Sequence, residues 1–171
     1  MTTLFTRTLA VAAMAGPAHA EPVEPLAHTH EHFALVARAP FAEVAPLFGA
    51  LRERDWAPDW DPQLIHPSPA ADVAGMVFFV RDDRHESIWV NTRLDLERGV
   101  IQYVYVIPTK MTTLITVRLQ AQARATRVEV EYERTALSRD ANVHVRELAR
   151  HDGASGPEWE HQINAYLKRR R

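Results

Sequence analysis

GMVFFVR (75–81), SIWVNTRLD (87–95), VIQYVYVI (100–107), MTTLITVRLQA (111–121) and RVEVEYERT (127–135) are segments rich in Val, Ile, Thr, Tyr and Phe. Short connections part them: Asp82-Asp83-Arg84-His85, Glu97-Arg98-Gly99, Pro108-Thr109-Lys110 and residues 122–126. β-Branched and aromatic runs between such turns read as strands, and links this short join antiparallel neighbours. Val128, Val130 and Tyr132 share one face of the last segment, opposite Glu129, Glu131 and Glu133. Ile115, Val117 and Leu119 do the same one segment earlier, opposite Arg118 and Gln120. Alternate strand residues point the same way, so the sheet has one apolar and one wet face. The glutamate row beside Arg118 reads as a solvated face with charge pairs worth about 0.2–1 kcal/mol each. Residues 101–107 are apolar on both faces, as in a strand that is central or covered by a partner.

Working outward, residues from His28 alternate as a strand that Pro40 ends. Phe41, Val44, Leu47 and Phe48 have helical spacing in 41–48, kept short by Pro46 and Gly49; residues 50–56 fit a second short helix. Pro58, Pro62, Pro67 and Pro69 exclude a helix in 57–69 and leave room for an edge strand around Leu64 and Ile65. Beyond the meander, Val145 and Leu148, then Trp159, Ile163, Tyr166 and Leu167, recur at helical spacing. Two helical pieces are expected, 141–151 and 157–169, with a kink or loop between them in HDGASGP (151–157). Glycine and proline are costly inside helices, by about 1 and 3 kcal/mol. That stretch is therefore expected to be a local opening.

The chain has 171 residues, 46% hydrophobic and 25% charged, with net charge −2 and no cysteine. Those values fit one globular domain. They offer no basic surface for nucleic acid and exclude disulfides and thiolate metal sites. Residues 1–20 read as a signal peptide: Arg7, the apolar run TLAVAAMAG (8–16), Pro17, then Ala18-His19-Ala20. Cleavage is expected after Ala20, placing the protein in the periplasm or outside the cell. The run is far short of the ~20 residues that span a bilayer. Residues 21–27 (EPVEPLA) read as a linker, and 28–171 as the domain.

This order of elements resembles the START-like helix-grip (SRPBCC) superfamily of polyketide cyclases and dehydrases, plant pathogenesis-related proteins and lipid-transfer domains. The resemblance rests on APFAEVAPLF (39–48), WAPDW (56–60), SIWVNTRLD (87–95), YVYVIP (103–108) and YERTALSRDAN (132–142). It implies an α+β fold: a curved antiparallel sheet gripping a C-terminal helix, with two short helices after the first strand. It also implies an apolar cavity between sheet and helix. The broken closing helix departs from the superfamily's usual continuous one.

No G-x-G-x-x-G, P-loop, G-x-S-x-G or H-E-x-x-H occurs. No pattern calls for a cofactor. Trp56, Trp60, Trp89, Tyr103, Tyr105 and Tyr132 combine apolar area with a polar tip, as pocket-lining residues do. Each is equally at home in a packed core. His66 and Arg93 complete the ligand-binding candidates. Arg93 alternates with Asn91 and Asp95, and the opposite face (Ile88, Val90, Leu94) makes the better core, which favours Arg93 outside. His28, His30 and His32 fall on one strand face, about 6.5–7 Å per step. Three imidazoles in line do not make a tetrahedral site, so metal binding is expected to be weak or absent. Arg169-Arg170-Arg171 suits a solvated helix end, with weak contact to an anionic membrane surface as the alternative.

The first functional reading is a non-enzymatic carrier of an apolar or aromatic small molecule, lipid-like or polyketide-like. The others are a cyclase- or dehydratase-like enzyme using the same cavity, and a ligand-free homodimeric interaction module. An enzyme needs an inward acid or base. The pattern shows no inward His, Asp or Glu and leaves His66 and the tyrosines as candidates.

Overall fold

The computed structural model describes residues 23–81 and 85–170. The signal peptide and its cut after Ala20, the turn tip 82–84 and Arg171 lie outside the described residues. Strand β1 (His28–Ala37) leads into helix α1 (Phe41–Val44), a 3-10 turn at Ala45–Phe48, and helix α2 (Ala50–Glu53). Next come β2 (Gln63–His66), β3 (Val77–Arg81), β4 (Glu86–Asp95), β5 (Val100–Ile107), β6 (Met111–Ala121) and β7 (Thr126–Ala136). Helices α3 (Asn142–Ala154) and α4 (Gly156–Arg169) close the chain.

The seven strands form one antiparallel sheet in the order β1-β7-β6-β5-β4-β3-β2, the expected meander with β1 returning beside β7. Its tight turns are chemically specified. Gly99 sits at φ 64°, and a Cβ there would lie 2.7 Å from the Leu119 carbonyl oxygen. Only glycine meets both conditions without strain. Segment 101–107 is central: β5 pairs with β4 on one side and β6 on the other.

Register brings the inward residues into rows. Phe78, Trp89, Tyr105, Thr113 and Arg134 are successive cross-strand partners from β3 to β7. Asn91, Tyr103, Ile115 and Tyr132 form the next row. The apolar face read from β6 and β7 is thus the inner face, and Val117, Val128 and Val130 are almost wholly buried there.

Strand β4 corrects the sequence reading. Ser87 and Asn91 are buried, and Trp89 stacks on inward neighbours, whereas Ile88 is 39% exposed. A register shift between Asn91 and Arg93 breaks the period, so Leu94 still faces inward against buried Ile101. One extra residue reverses which parity is core. Ile88, Val90 and Leu94 therefore do not share a face.

The closing helix is kinked, with no open loop. Helix α3 runs through Ala154, and α4 starts at Gly156 with Pro157 in its first turn. Ser155 alone separates them. Its N–H donates to the Asp152 carbonyl at 3.1 Å, and its hydroxyl to the His151 carbonyl at 2.9 Å. Pro157 has no N–H to lose at a helix start, so its cost falls on one residue. A Cβ on Gly156 would lie 3.3 Å from both the Ala34 carbonyl oxygen and Phe33, so the kink lies flat on β1.

The end of the segment read as a linker is tied down. The Ala27 N–H donates to Asn142 Oδ1 at 2.7 Å, and Asn142 Nδ2 donates to the Pro25 carbonyl at 2.9 Å. No helix among the described residues is long and apolar enough to cross a membrane.

Candidate functional site

Between the inner sheet face, the loop after α2 and the closing helices lies a cavity of about 370 Å³. Each candidate aromatic residue lines it: Trp56 and Trp60 from the loop, Trp89 from β4, Tyr103 and Tyr105 from β5, and Tyr132 from β7. Trp159 of α4 joins them, so all four tryptophans of the chain face one space. Trp89 stacks on Tyr105 (centroids 4.2 Å apart, planes at 18°) because register makes them direct neighbours. Trp60 meets Trp89 edge-on at 5.3 Å, and Trp159 meets Trp56 likewise at 5.3 Å.

The polar tips are already engaged. Trp56 Nε1 donates to the Leu47 carbonyl, Trp60 Nε1 to the Ala50 carbonyl and Trp89 Nε1 to Ser87 Oγ, each at 2.8 Å. The Tyr103 hydroxyl donates to the Phe48 carbonyl at 2.8 Å, fixing the short helices onto the sheet. What these residues leave to the cavity is ring area. Tyr132 differs: it is 8% exposed, and its hydroxyl makes no hydrogen bond among the described residues.

A buried ion pair braces the wall. Arg134 Nε lies 2.6 Å from Asp152 Oδ2 and its Nη2 2.9 Å from Oδ1, with both side chains nearly solvent-free. Its Nη1 donates to the hydroxyls of Tyr105 and Thr113. The Tyr105 oxygen thus accepts from Arg134 and keeps its own proton to donate. Arg134 also lies 5.1 Å from the centroid of the Tyr132 ring. The pair ties β7 to α3 beside the kink.

Glu53, half-buried at the end of α2, lines the cavity, and its carboxyl makes no hydrogen bond or ion pair among the described residues. Burial raises its pKa well above the carboxylate range, and the nearby charge of Asp72 raises it further. Asp72 is itself raised by burial, partly offset by the Leu51 N–H, which donates to it at 2.9 Å. Burial, then the charges of Glu53 and Asp72, hold the Tyr103 phenol up. Burial and the charge of Asp152 do the same for Tyr132.

Two candidates fall outside. His66 is exposed on edge strand β2, which pairs only with β3 and packs nothing over its outer side. Arg93 faces solvent, 2.9 Å from Asp95, because the β4 register shift turns it outward. His28, His30 and His32 lie exposed on the outer side of β1, with His28 Nδ1 2.9 Å from Thr135 Oγ1. No group of three or more His, Asp or Glu among the described residues could hold a metal.

Sequence reasoning missed Glu53, Arg134, His151, Glu158 and Trp159 as lining residues. The pattern had shown no inward His, Asp or Glu, and the structure adds Glu53 to the lining. Parity could have found Arg134, two residues past Tyr132 on the same face. Trp159 carried a helical-spacing signal. A helix of four residues gives no period, so Glu53 had none.

No protein-family model matches the chain, and a search of the curated proteins found no match. Solved structures do match. Norcoclaurine synthase from Thalictrum flavum, solved with dopamine and hydroxybenzaldehyde, superposes with TM-score 0.63 at 12% identity, covering 85% of this chain and 90% of that one. The Zhui aromatase/cyclase from Streptomyces sp. R1128 gives 0.60 at 14%, covering 85% and 96%. The structure of Ara h 8.0201 gives 0.57 at 10%, covering 82% and 98%. The chain has the helix-grip fold. Within this fold the cavity lies where the sequence resemblance implied it, between sheet and closing helix. Identity this low fixes fold and leaves activity to the residues of the site.

Proposed function

We propose that the protein holds an aromatic or otherwise apolar small molecule in this cavity and carries it without altering it. The observation behind this reading is the convergence of four tryptophans whose three inner indole N–H groups are spent on protein acceptors. Such walls offer area and shape with few fixed polar demands, as carrier pockets do. The proposal includes export to the periplasm or beyond, supported by the leader-like order of residues 1–20. The experiment is native mass spectrometry of protein purified from its own host, followed by extraction of whatever co-elutes. A stoichiometric apolar or aromatic compound supports the reading. A ligand-free protein that also refuses added aromatic compounds refutes it.

One observation favours the enzyme reading as second. Glu53 keeps its proton above the ordinary carboxylate range and faces the cavity unpartnered, as a general acid does. An enzyme would turn over the extracted compound, and Glu53→Gln would stop it.

A further inference from the structure

The charges around this cavity are one-sided. Glu53 lies within it, and Asp59 and Glu158 stand exposed at its edge. Arg134, the lining guanidinium, is neutralised by two bonds to Asp152 and spends another amino group on Tyr105 and Thr113. No lysine lines the cavity among the described residues. His151 is the remaining basic side chain, its Nδ1 3.4 Å from Ser155 Oγ.

Two further observations have the same sign. Behind Glu53 and Tyr103 stands Asp72, close enough for its carboxylate to act on both, while Asp152 is spent on Arg134. The rings of Trp60, Tyr105, Tyr132 and Trp159 border the same space, with Trp89 stacked between Phe78 and Tyr105, and aromatic rings attract a cation through the negative charge density of their faces. A carboxylate ligand would meet this field with no free guanidinium or ammonium to offset it. A neutral ligand would leave the Glu53 carboxyl and the Tyr132 hydroxyl without a partner.

We propose that the cavity selects an aromatic or alicyclic ligand bearing a positively charged nitrogen, with the charge held beside Glu53 and the Tyr132 oxygen and the body packed among the tryptophans. This rests on the small-molecule reading above and narrows its ligand to an organic cation. The bound charge stabilises the ionised form of the Glu53 carboxyl, which releases its proton to solvent as the cation arrives, and the surrounding rings stand in for part of the water.

The test compares benzyltrimethylammonium with its uncharged carbon analogue, neopentylbenzene, each titrated against the mature protein by tryptophan quenching. The cation is permanently charged, so the comparison does not depend on the probe's own titration. Binding of the cation at least ten-fold tighter than the analogue is expected. Glu53→Gln, confirmed as folded by near-ultraviolet circular dichroism, should lose at least five-fold in cation affinity. Equal or tighter binding of neopentylbenzene overturns the proposal and leaves the aromatic-carrier reading standing. So does a folded Glu53→Gln protein with unchanged cation affinity. Failure of both probes to bind overturns both. The wild-type comparison decides even where the variant does not fold.

Discussion

Asp152→Ala removes one half of the ion pair that fastens the closing helix to β7. Both partners are buried, with side-chain exposures of 5% and 7%, and two bonds of 2.6 and 2.9 Å join them. The substitution leaves Arg134 charged in a dry wall, with its Nε and Nη2 donors facing a gap. Removing one partner of a buried pair costs about 3–5 kcal/mol, mostly because the remaining charge is uncompensated. For a domain of this size each kcal/mol lowers Tm by about 2–4 °C, so a fall of roughly 6–20 °C is expected. Urea unfolding followed by circular dichroism measures the loss directly. The double variant Arg134→Met/Asp152→Leu should recover more than half of it, since apolar replacement of a whole buried pair is often neutral or better. A loss below about 1 kcal/mol for Asp152→Ala would refute the claim that the pair is dry and structural.

Gly99→Ala should destabilise by more than about 1 kcal/mol, read by the same unfolding assay, because φ 64° and the Leu119 carbonyl leave no room for a Cβ. Glu53→Gln should gain stability over wild type as pH rises above 4.5. The unfolded glutamate ionises near that value while the folded one holds its proton, so wild type loses stability up to the raised folded pKa. Thermal melts of both proteins between pH 4 and 8 check this, and parallel curves would contradict it. Trp159→Ala, which removes edge contacts of 5.3 Å to both Phe33 and Trp56, should cost about 3 kcal/mol in urea unfolding and weaken any ligand of the cavity. Protein isolated from its host should begin at Glu21 by intact-mass analysis; a chain beginning at Met1 or Thr2 would remove the export proposal.

Much of the fold was legible because two strands kept a strict period. Val128, Val130 and Tyr132 on β7 and Ile115, Val117 and Leu119 on β6 define the inner face by parity alone. Strand β4 misled because a single register shift beside Asn91 moves Leu94 to the face of Trp89. The helix break was overestimated because propensity counts Gly153, Gly156 and Pro157 one by one. The chain resolves all three at Ser155, packed against β1. In the site, the aromatic residues were legible by type. Arg134 was legible by parity with Tyr132, but an inward charge makes sense only beside Asp152, a pairing that tertiary contact alone reveals. Glu53 was hidden in a four-residue helix whose inward face is set by packing on the sheet, not by periodicity.

The central claim is that the four tryptophans line one ligand cavity. Each has an indole N–H, so a ¹⁵N-labelled protein gives four indole resonances, one per tryptophan. Titration with an aromatic probe such as benzyltrimethylammonium should move the signals of Trp56, Trp60, Trp89 and Trp159 together, along one saturable curve with one-to-one stoichiometry. Indole signals that stay fixed at saturating probe, or that shift without saturating, would contradict the account.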